Sequence, residues 1–241
     1  MSQRWDGIAE VRKRQIESGK DLTFSKVFVP YYRGLLLKLR PESILEVGGG
    51  TGHLGLALSE ISERYVMVEP SKGMHRVARS VLAETKVQIR NCPVEALNDD
   101  SRFDLVLSHM CVQTVRDLAT FLKAISKHLL SRGSFAIALP HPAFYNDYKR
   151  FFPAAVFSYA SEISGEVNFS ITLDPNQIIE GVPYYHRPIS KYVEALASAG
   201  LCVTAFEEIF PSRAIQELYG APWKHPRYLV IRGNPLIRAS Y

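Results

Sequence analysis

Three groups of residues in this chain have types and spacings that could do chemistry. The first is 46-EVGGGTGHLG-55, a carboxylate followed by closely spaced glycines. A glycine-rich turn between a strand and a helix presents backbone N–H groups at a helix N-terminus, which suits an anion or a polar ligand. Read from Gly50, it spells G-x-G-x-x-G; read from Glu46, it is an acid followed by G-x-G-x-G. The second is Glu69, an acid closing a second apolar run, 65-YVMVE-69, where a carboxylate can accept hydrogen bonds from ribose hydroxyls. The third is a set of histidines, His109, His141 and His186, each at a strand end or in an aromatic segment. Histidine is the usual general base near neutral pH, and each of the three also has a plain structural reading, a ring bonded to a nearby carbonyl. His53 lies inside the glycine loop and reads as its cap.

These residues need elements to hold them. Residues 1–42 read as a helical cap, with Val27, Tyr31, Leu35 and Leu39 at helical spacing and Pro30 as a break or kink. From 43 to 139, short apolar strands alternate with amphipathic helices, which argues for a parallel sheet with right-handed crossovers. The strands are 43–47, 65–69, 86–91, 103–108 and 134–139; Ser71 is a good N-cap for the second helix. Residues 140–189 break this rhythm. They are rich in Phe and Tyr, and 166-EVNFSITL-173 alternates strictly, which predicts a strand paired with 177–185 across residues 174–176. A helix over 190–200 and strands over 201–210 and 227–233 complete the chain to 241. No helix of crossover length separates those two strands, so the last should run antiparallel. The expected fold is α/β: a Rossmann-like seven-stranded sheet with an antiparallel last strand, a helical N-terminal cap and an aromatic-rich insertion, all in one domain.

Composition narrows the class. The 241 residues carry a net charge of +5, and the pI is about 9.1. The basic residues are dispersed; the triplet Arg12-Lys13-Arg14 is flanked by Glu10 and Glu17, as on a solvated helix face. That argues against a nucleic-acid partner. No apolar run approaches the roughly 20 residues of a membrane span, and the N-terminus lacks the apolar core of a signal peptide. Three scattered cysteines, Cys92, Cys111 and Cys202, fit free thiols in a reducing compartment, so a cytoplasmic protein with no metal site is expected.

Three features separate the two readings of the glycine loop. A carboxylate at Glu46 would repel a pyrophosphate by about 4 kcal/mol at ~4 Å and an effective dielectric of 20, and would attract an ammonium. The G-x-G-x-G spacing favours close backbone approach by a compact ligand. The antiparallel closing strand departs from a dinucleotide domain. Taken in order, ILEVGGGTG, VEP, PVEAL, FDLVLS and the strand after RGS resemble the core of class I S-adenosylmethionine (SAM) methyltransferases. The resemblance covers 44–139, and the closing strands fit it. Two shorter segments, 139-LPHPAFY-145 and 184-YYHRPISKYVEALASAGL-201, resemble a small-molecule subgroup with His-Pro and Tyr-His-Arg-Pro motifs.

The resemblance implies SAM as cofactor. It places Gly48, Gly50 and Gly52 along the methionine and ribose, and Glu46 near the amino group. Glu69 would accept both ribose hydroxyls, with Pro70 and Met74 beside the adenine. Val94 would offer its N–H to the adenine, and Ser108 would face the methionine end. Where relatives often carry Gly-Asp-Ala-Glu, this chain reads 92-CPVE-95, so Pro93 stands where an acid commonly binds the adenine amine. Either Glu95 substitutes, or packing and backbone hold the ring. The expected function is methyl transfer by in-line displacement to the O or N atom of a small apolar or aromatic molecule, with a histidine as general base. His141 leaves the fifth strand directly over the methyl position. Arg187 either anchors a substrate carboxylate or pairs with Glu162. An RNA or protein methyltransferase and a non-catalytic SAM-binding module are the alternatives.

Overall fold

The computed structural model describes residues 2–98 and 100–236; residues 237–241 of the expected closing segment lie outside them. A seven-stranded sheet forms the centre, in the order β3-β2-β1-β4-β5-β9-β8. Its strands are β1 (Ser43–Val47), β2 (Arg64–Val68), β3 (Gln88–Arg90), β4 (Phe103–His109), β5 (Leu129–Pro140), β8 (Leu201–Ile209) and β9 (Tyr228–Pro235). Strands β1 to β5 are mutually parallel, whereas β9 runs antiparallel between β5 and β8. The expected topology is therefore the one observed.

Side-chain alternation divides the core in two. Leu45, Val47, Val66 and Val68 face one layer with Phe121 and Ile125 of α6 (Leu118–Lys127) and Leu196 of α8 (Ile189–Ser198). Ile44, Tyr65, Leu105 and Leu107 face the other. There they meet α4 (His53–Leu58) and α3 (Val29–Leu39) through Leu54, Leu58, Tyr32 and Leu36. Both faces of the central strands are covered, which is why they read as continuous apolar runs. The strand order reverses between β1 and β4, which opens a crevice at their carboxyl ends.

Two additions cover that crevice. Helices α1 (Ser2–Asp6) and α2 (Ala9–Glu17) lie across the start of α5 (Lys72–Val81). Asp6 Oδ1 accepts from Ser71 Oγ at 2.7 Å and from Gly73 N at 3.0 Å. The second addition is a hairpin of β6 (Ile163–Ile171) and β7 (Asp174–His186), preceded by α7 (Tyr145–Lys149). Its turn falls at Thr172–Leu173, earlier than the expected 174–176, and two register shifts follow it. Leu173 therefore sits exposed at the turn, not on the apolar face with Val167. Arg4 pairs with Glu166 at 2.7 Å and Lys20 with Asp174 at 3.3 Å, so the N-terminal arm is tied to the hairpin at both ends.

Pro30 does not break the helix. Residues Thr23–Phe28 form a π-helix that passes directly into α3, and Pro30 sits in the first turn of that helix. The wider turn accommodates a residue that has no N–H to offer.

Candidate active site

One cavity of about 700 Å³ lies in the crevice, running from the glycine loop to the aromatic insertion. At the loop end, Gly48 and Gly50 adopt φ values of 71° and 57°, the left-handed region that favours glycine. A Cβ at Gly48 would stand 2.4 Å from Cys111 Sγ, whereas nothing lies within 4 Å of one at Gly50. The backbone at Gly50 is thus open to a ligand.

Glu69 fixes this loop. Its Oε2 accepts from Gly50 N at 2.9 Å and its Oε1 from Ser71 N at 2.8 Å. Burial raises its pKa, and those two N–H donors oppose the rise. Asn91 Nδ2 donates to the Glu69 carbonyl at 2.8 Å and holds the strand end in place. Glu46, on β1, is 2% exposed and accepts from Tyr65 OH at 2.9 Å. Burial pushes its pKa up to about 8; the Tyr65 bond opposes this, and Glu69 adds to it. Glu46, expected to be ionised when read from sequence, is therefore largely protonated at neutral pH in this environment.

Pro70, Met74, Val94 and Glu95 line the same end of the cavity. Val94 is buried, in the short turn Val94–Ala96, and Glu95 is exposed. Two residues expected here are elsewhere. Gly52 does not line the cavity: a Cβ on it would meet Leu82 Cδ1 at 2.8 Å, so its freedom serves packing against α5. Ser108 is fully buried behind the wall, which His109, Met110 and Cys111 form instead. Met110, with φ 51°, turns the chain at that point. His53 does not cap the loop; it is the first residue of α4, and its Nδ1 lies 2.8 Å from Thr51 Oγ1.

The acceptor end is walled by Phe24, Phe28, Tyr145, Tyr148, Phe151, Tyr184 and Tyr228. Of the three histidines, His109 alone lines it. Its ring packs on Phe28 at 4.5 Å, and its Nδ1 lies 3.5 Å from Tyr32 OH. Burial lowers its pKa to about 3; nearby Arg12 adds to this and Asp21 opposes it. His109 is therefore neutral at physiological pH. Such a group stabilises the fold fully above the unfolded histidine value of about 6.5 and loses that contribution as pH falls toward 3. Replacing His109 with Gln should flatten the fall in thermal midpoint between pH 6 and pH 4. An unchanged slope would place the titration on other groups.

His141 and His186 are not at the cavity. Pro140 lines it, but His141, just past the end of β5, is buried away from it. There its Nε2 donates to Glu208 Oε1 at 3.1 Å, its Nδ1 accepts from Ala143 N, and its ring stacks on Phe144. His186 donates to the Tyr159 carbonyl at 3.1 Å and packs on Phe157 inside the insertion. Arg187 is buried away from the cavity too. Its NH2 donates to the carbonyls of Val115 and Arg116, both at 2.8 Å, and its Nε lies 3.8 Å from Glu162.

Sequence reading missed Asp21 and Arg12. They form an ion pair of 2.6 Å on the cavity wall, and Asp21 also accepts from Phe24 N at 2.9 Å. Nothing local in the sequence marks them; the turn after α2 brings them together.

Residues 45–137 match the family profile described as a methyltransferase domain. The chain is 29% identical over 162 residues to a malonyl-[acyl-carrier protein] O-methyltransferase of Geobacter sulfurreducens, covering 64% of this chain and 55% of that protein. It is 31% identical over 94 residues to the protein of the same name from Priestia megaterium, covering 38% of this chain and 34% of that one. The matched regions thus span about half or less of those relatives. A crystal structure of a SAM-dependent methyltransferase from Mesorhizobium loti superposes with a TM-score of 0.66 at 20% identity, over 85% of this chain and 96% of that one. With the fold and glycine loop described above, these matches place a methyltransferase-domain profile over residues 45–137, on the fold that SAM-dependent methyltransferase structures share. A glycopeptide N-methyltransferase of the same fold, with a TM-score of 0.61 at 16% identity over 85% of this chain and 86% of that one, was solved in complex with S-adenosylmethionine. The open backbone at Gly50, the fixed carboxylate of Glu69 and the buried acid Glu46 fit that molecule's hydroxyls and ammonium. Among the described residues no cluster suited to a metal ion occurs, and no helix is long and apolar enough to cross a membrane.

Proposed function

We propose that the chain methylates a small apolar or aromatic molecule at an oxygen atom. The observation that carries this reading is the continuity of one cavity from the glycine loop to an aromatic-walled chamber. The two relatives above, and a ubiquinone biosynthesis O-methyltransferase of Pelagibacter ubique that is 29% identical over 102 residues, support oxygen as the acceptor atom. A concave chamber with aromatic walls suits a small molecule better than a folded RNA or protein.

Bound SAM supplies an electrophilic methyl group on a sulfonium. The chain contributes alignment and a dry site. Glu69 and the Gly48–Gly50 backbone hold the ribose end, Glu46 the ammonium, and Pro70, Met74 and Val94 the adenine. With Pro93 replacing the common acid, the ring is held mainly by packing and backbone. Phe24, Phe28 and Tyr228 exclude water at the acceptor end. His109, neutral and with no hydrogen bond at Nε2 among the described residues, accepts a hydrogen bond from the acceptor hydroxyl and orients its lone pair. Its low basicity suits orientation better than lasting proton abstraction, so the proton released as the oxygen takes the methyl group passes on to solvent.

The test is direct: calorimetric titration with S-adenosylhomocysteine (SAH), then transfer of labelled methyl from SAM to a panel of phenols and carboxylic acids. Absence of SAH binding would sink the reading. A pH dependence follows from Glu46. Its buried carboxyl, with a pKa pushed up to about 8, must ionise to meet an ammonium, so SAH affinity should rise from pH 6 to about 7.5 with net proton release. Glu46→Gln should bind more weakly and lose the slope. Calorimetry in buffers of different ionisation enthalpy reads the proton count, and a count of zero in the native chain would remove Glu46 from the ammonium site.

A further inference from the structure

The ions around the acceptor chamber do not balance. Arg12 is paired with Asp21 at 2.6 Å and Lys20 with Asp174 at 3.3 Å. Asp117 is used as the N-cap of α6. Lys149 has no such partner. This half-buried lysine ends α7 and lines the cavity, and its Nζ donates to the Ser170 carbonyl at 2.7 Å. No carboxylate lies within ion-pair distance of it among the described residues. One carbonyl occupies one of three ammonium donors. The neighbouring ring deepens the imbalance. Tyr148 has Lys149 Nζ at 4.7 Å and Arg227 Cζ at 3.7 Å from its centroid, and Arg227 also lacks a carboxylate partner among the described residues. Arg227 is held by aromatic faces, at 4.1 Å from Trp223, and does not line the chamber.

Two cations therefore flank one ring at the chamber wall with no acid between them. Holding an ammonium partly out of water without a counter-charge is costly, and a ligand that brings the negative charge removes that cost. The position is fixed: Tyr148 OH and Thr172 Oγ1 are 2.7 Å apart, which ties α7 to the tip of the hairpin. The rest of the chamber is aromatic and suits an apolar body.

We propose that the acceptor molecule is an aromatic or lipophilic carboxylic acid whose carboxylate is anchored by Lys149 Nζ. This rests on the methyltransferase reading of the same cavity and names its substrate class. Lys149 acts as a specificity-determining residue, selecting anions over neutral molecules of equal shape.

The test compares 2-naphthoate with 2-naphthamide, which share a ring system and differ in charge. Both are titrated into the full chain saturated with SAH, by equilibrium dialysis. In the native chain 2-naphthoate should bind about 10-fold more tightly than 2-naphthamide, the value of one charge-assisted hydrogen bond. Lys149→Met should weaken 2-naphthoate about 10-fold and leave 2-naphthamide unchanged, so that the amide reports an intact chamber. Lys149→Arg should restore the preference, and Lys86→Met, an exposed lysine outside the cavity, should preserve it. Equal binding of the two probes by the native chain, binding of neither, or a preference that survives Lys149→Met would overturn the proposal. SAH binding is measured first: its loss strikes the methyltransferase reading, whereas normal SAH binding without anion preference strikes this one alone.

Discussion

Glu69→Ala should weaken SAH binding about 100-fold, and more than any other single substitution at the cofactor end. Two effects combine. The carboxylate is the natural acceptor for two ribose hydroxyls, and hydrogen bonds to a charged group are worth about 1.5–3 kcal/mol each. The same carboxylate already holds Gly50 N and Ser71 N, so its loss also releases the glycine loop from the end of β2. Glu69→Gln keeps an acceptor of the same length and should fall between the two. Calorimetry at constant pH separates them: the enthalpy should drop sharply in the alanine variant and moderately in the glutamine variant. An affinity within threefold of the native value for Glu69→Ala would show that the acid serves the loop and not the ligand.

Gly73→Ala should release the N-terminal arm. A Cβ at Gly73 would stand 2.3 Å from the Asp6 carbonyl oxygen and 2.6 Å from Asp6 Cα. Both are backbone atoms, so no side-chain rotation relieves the overlap, and forced overpacking of this kind costs about 1–3 kcal/mol. The arm can escape it by lifting off α5, which also breaks the Asp6 bonds to Ser71 and Gly73. Trp5, Arg12 and Ile16 would leave the cavity wall. Trypsin should then cut at Arg12, Lys13 or Arg14 at least tenfold faster than in the native chain, with the sheet core intact by far-UV circular dichroism. Native-like protection would mean that the arm is held chiefly by the hairpin, through Arg4 and Lys20.

Most of the residues that line the glycine-loop end of the cavity were readable because their determinants are local. Glycines with positive φ, an acid at a strand end and a serine N-cap each work within a few residues of the chain. What could not be read there was protonation. Burial in the sheet pushes the Glu46 pKa up against the opposing Tyr65 hydrogen bond, and Gly52 packs on α5 because Leu82 stands in the way. The acceptor half draws on segments far apart: Arg12 and Asp21 from the arm, His109 from β4, Lys149 from α7. His141 shows the difficulty most plainly. Its motif pointed to the cavity, but just past the end of β5 its ring is buried away from the cavity, against a glutamate on β8.

The placement of β9 has a consequence for how the protein is made. β9 is the last strand among the described residues, yet it fills the slot between β5 and β8. Until it arrives, the edge of β5 over Phe135–Pro140 lacks its partner, and β8 has no strand beside it at all. A chain made only as far as β8 thus carries an unpaired apolar edge on β5 until β9 has been added. Premature stops between Pro140 and Tyr228 should therefore yield sticky, quickly degraded fragments, even though they retain the whole glycine loop.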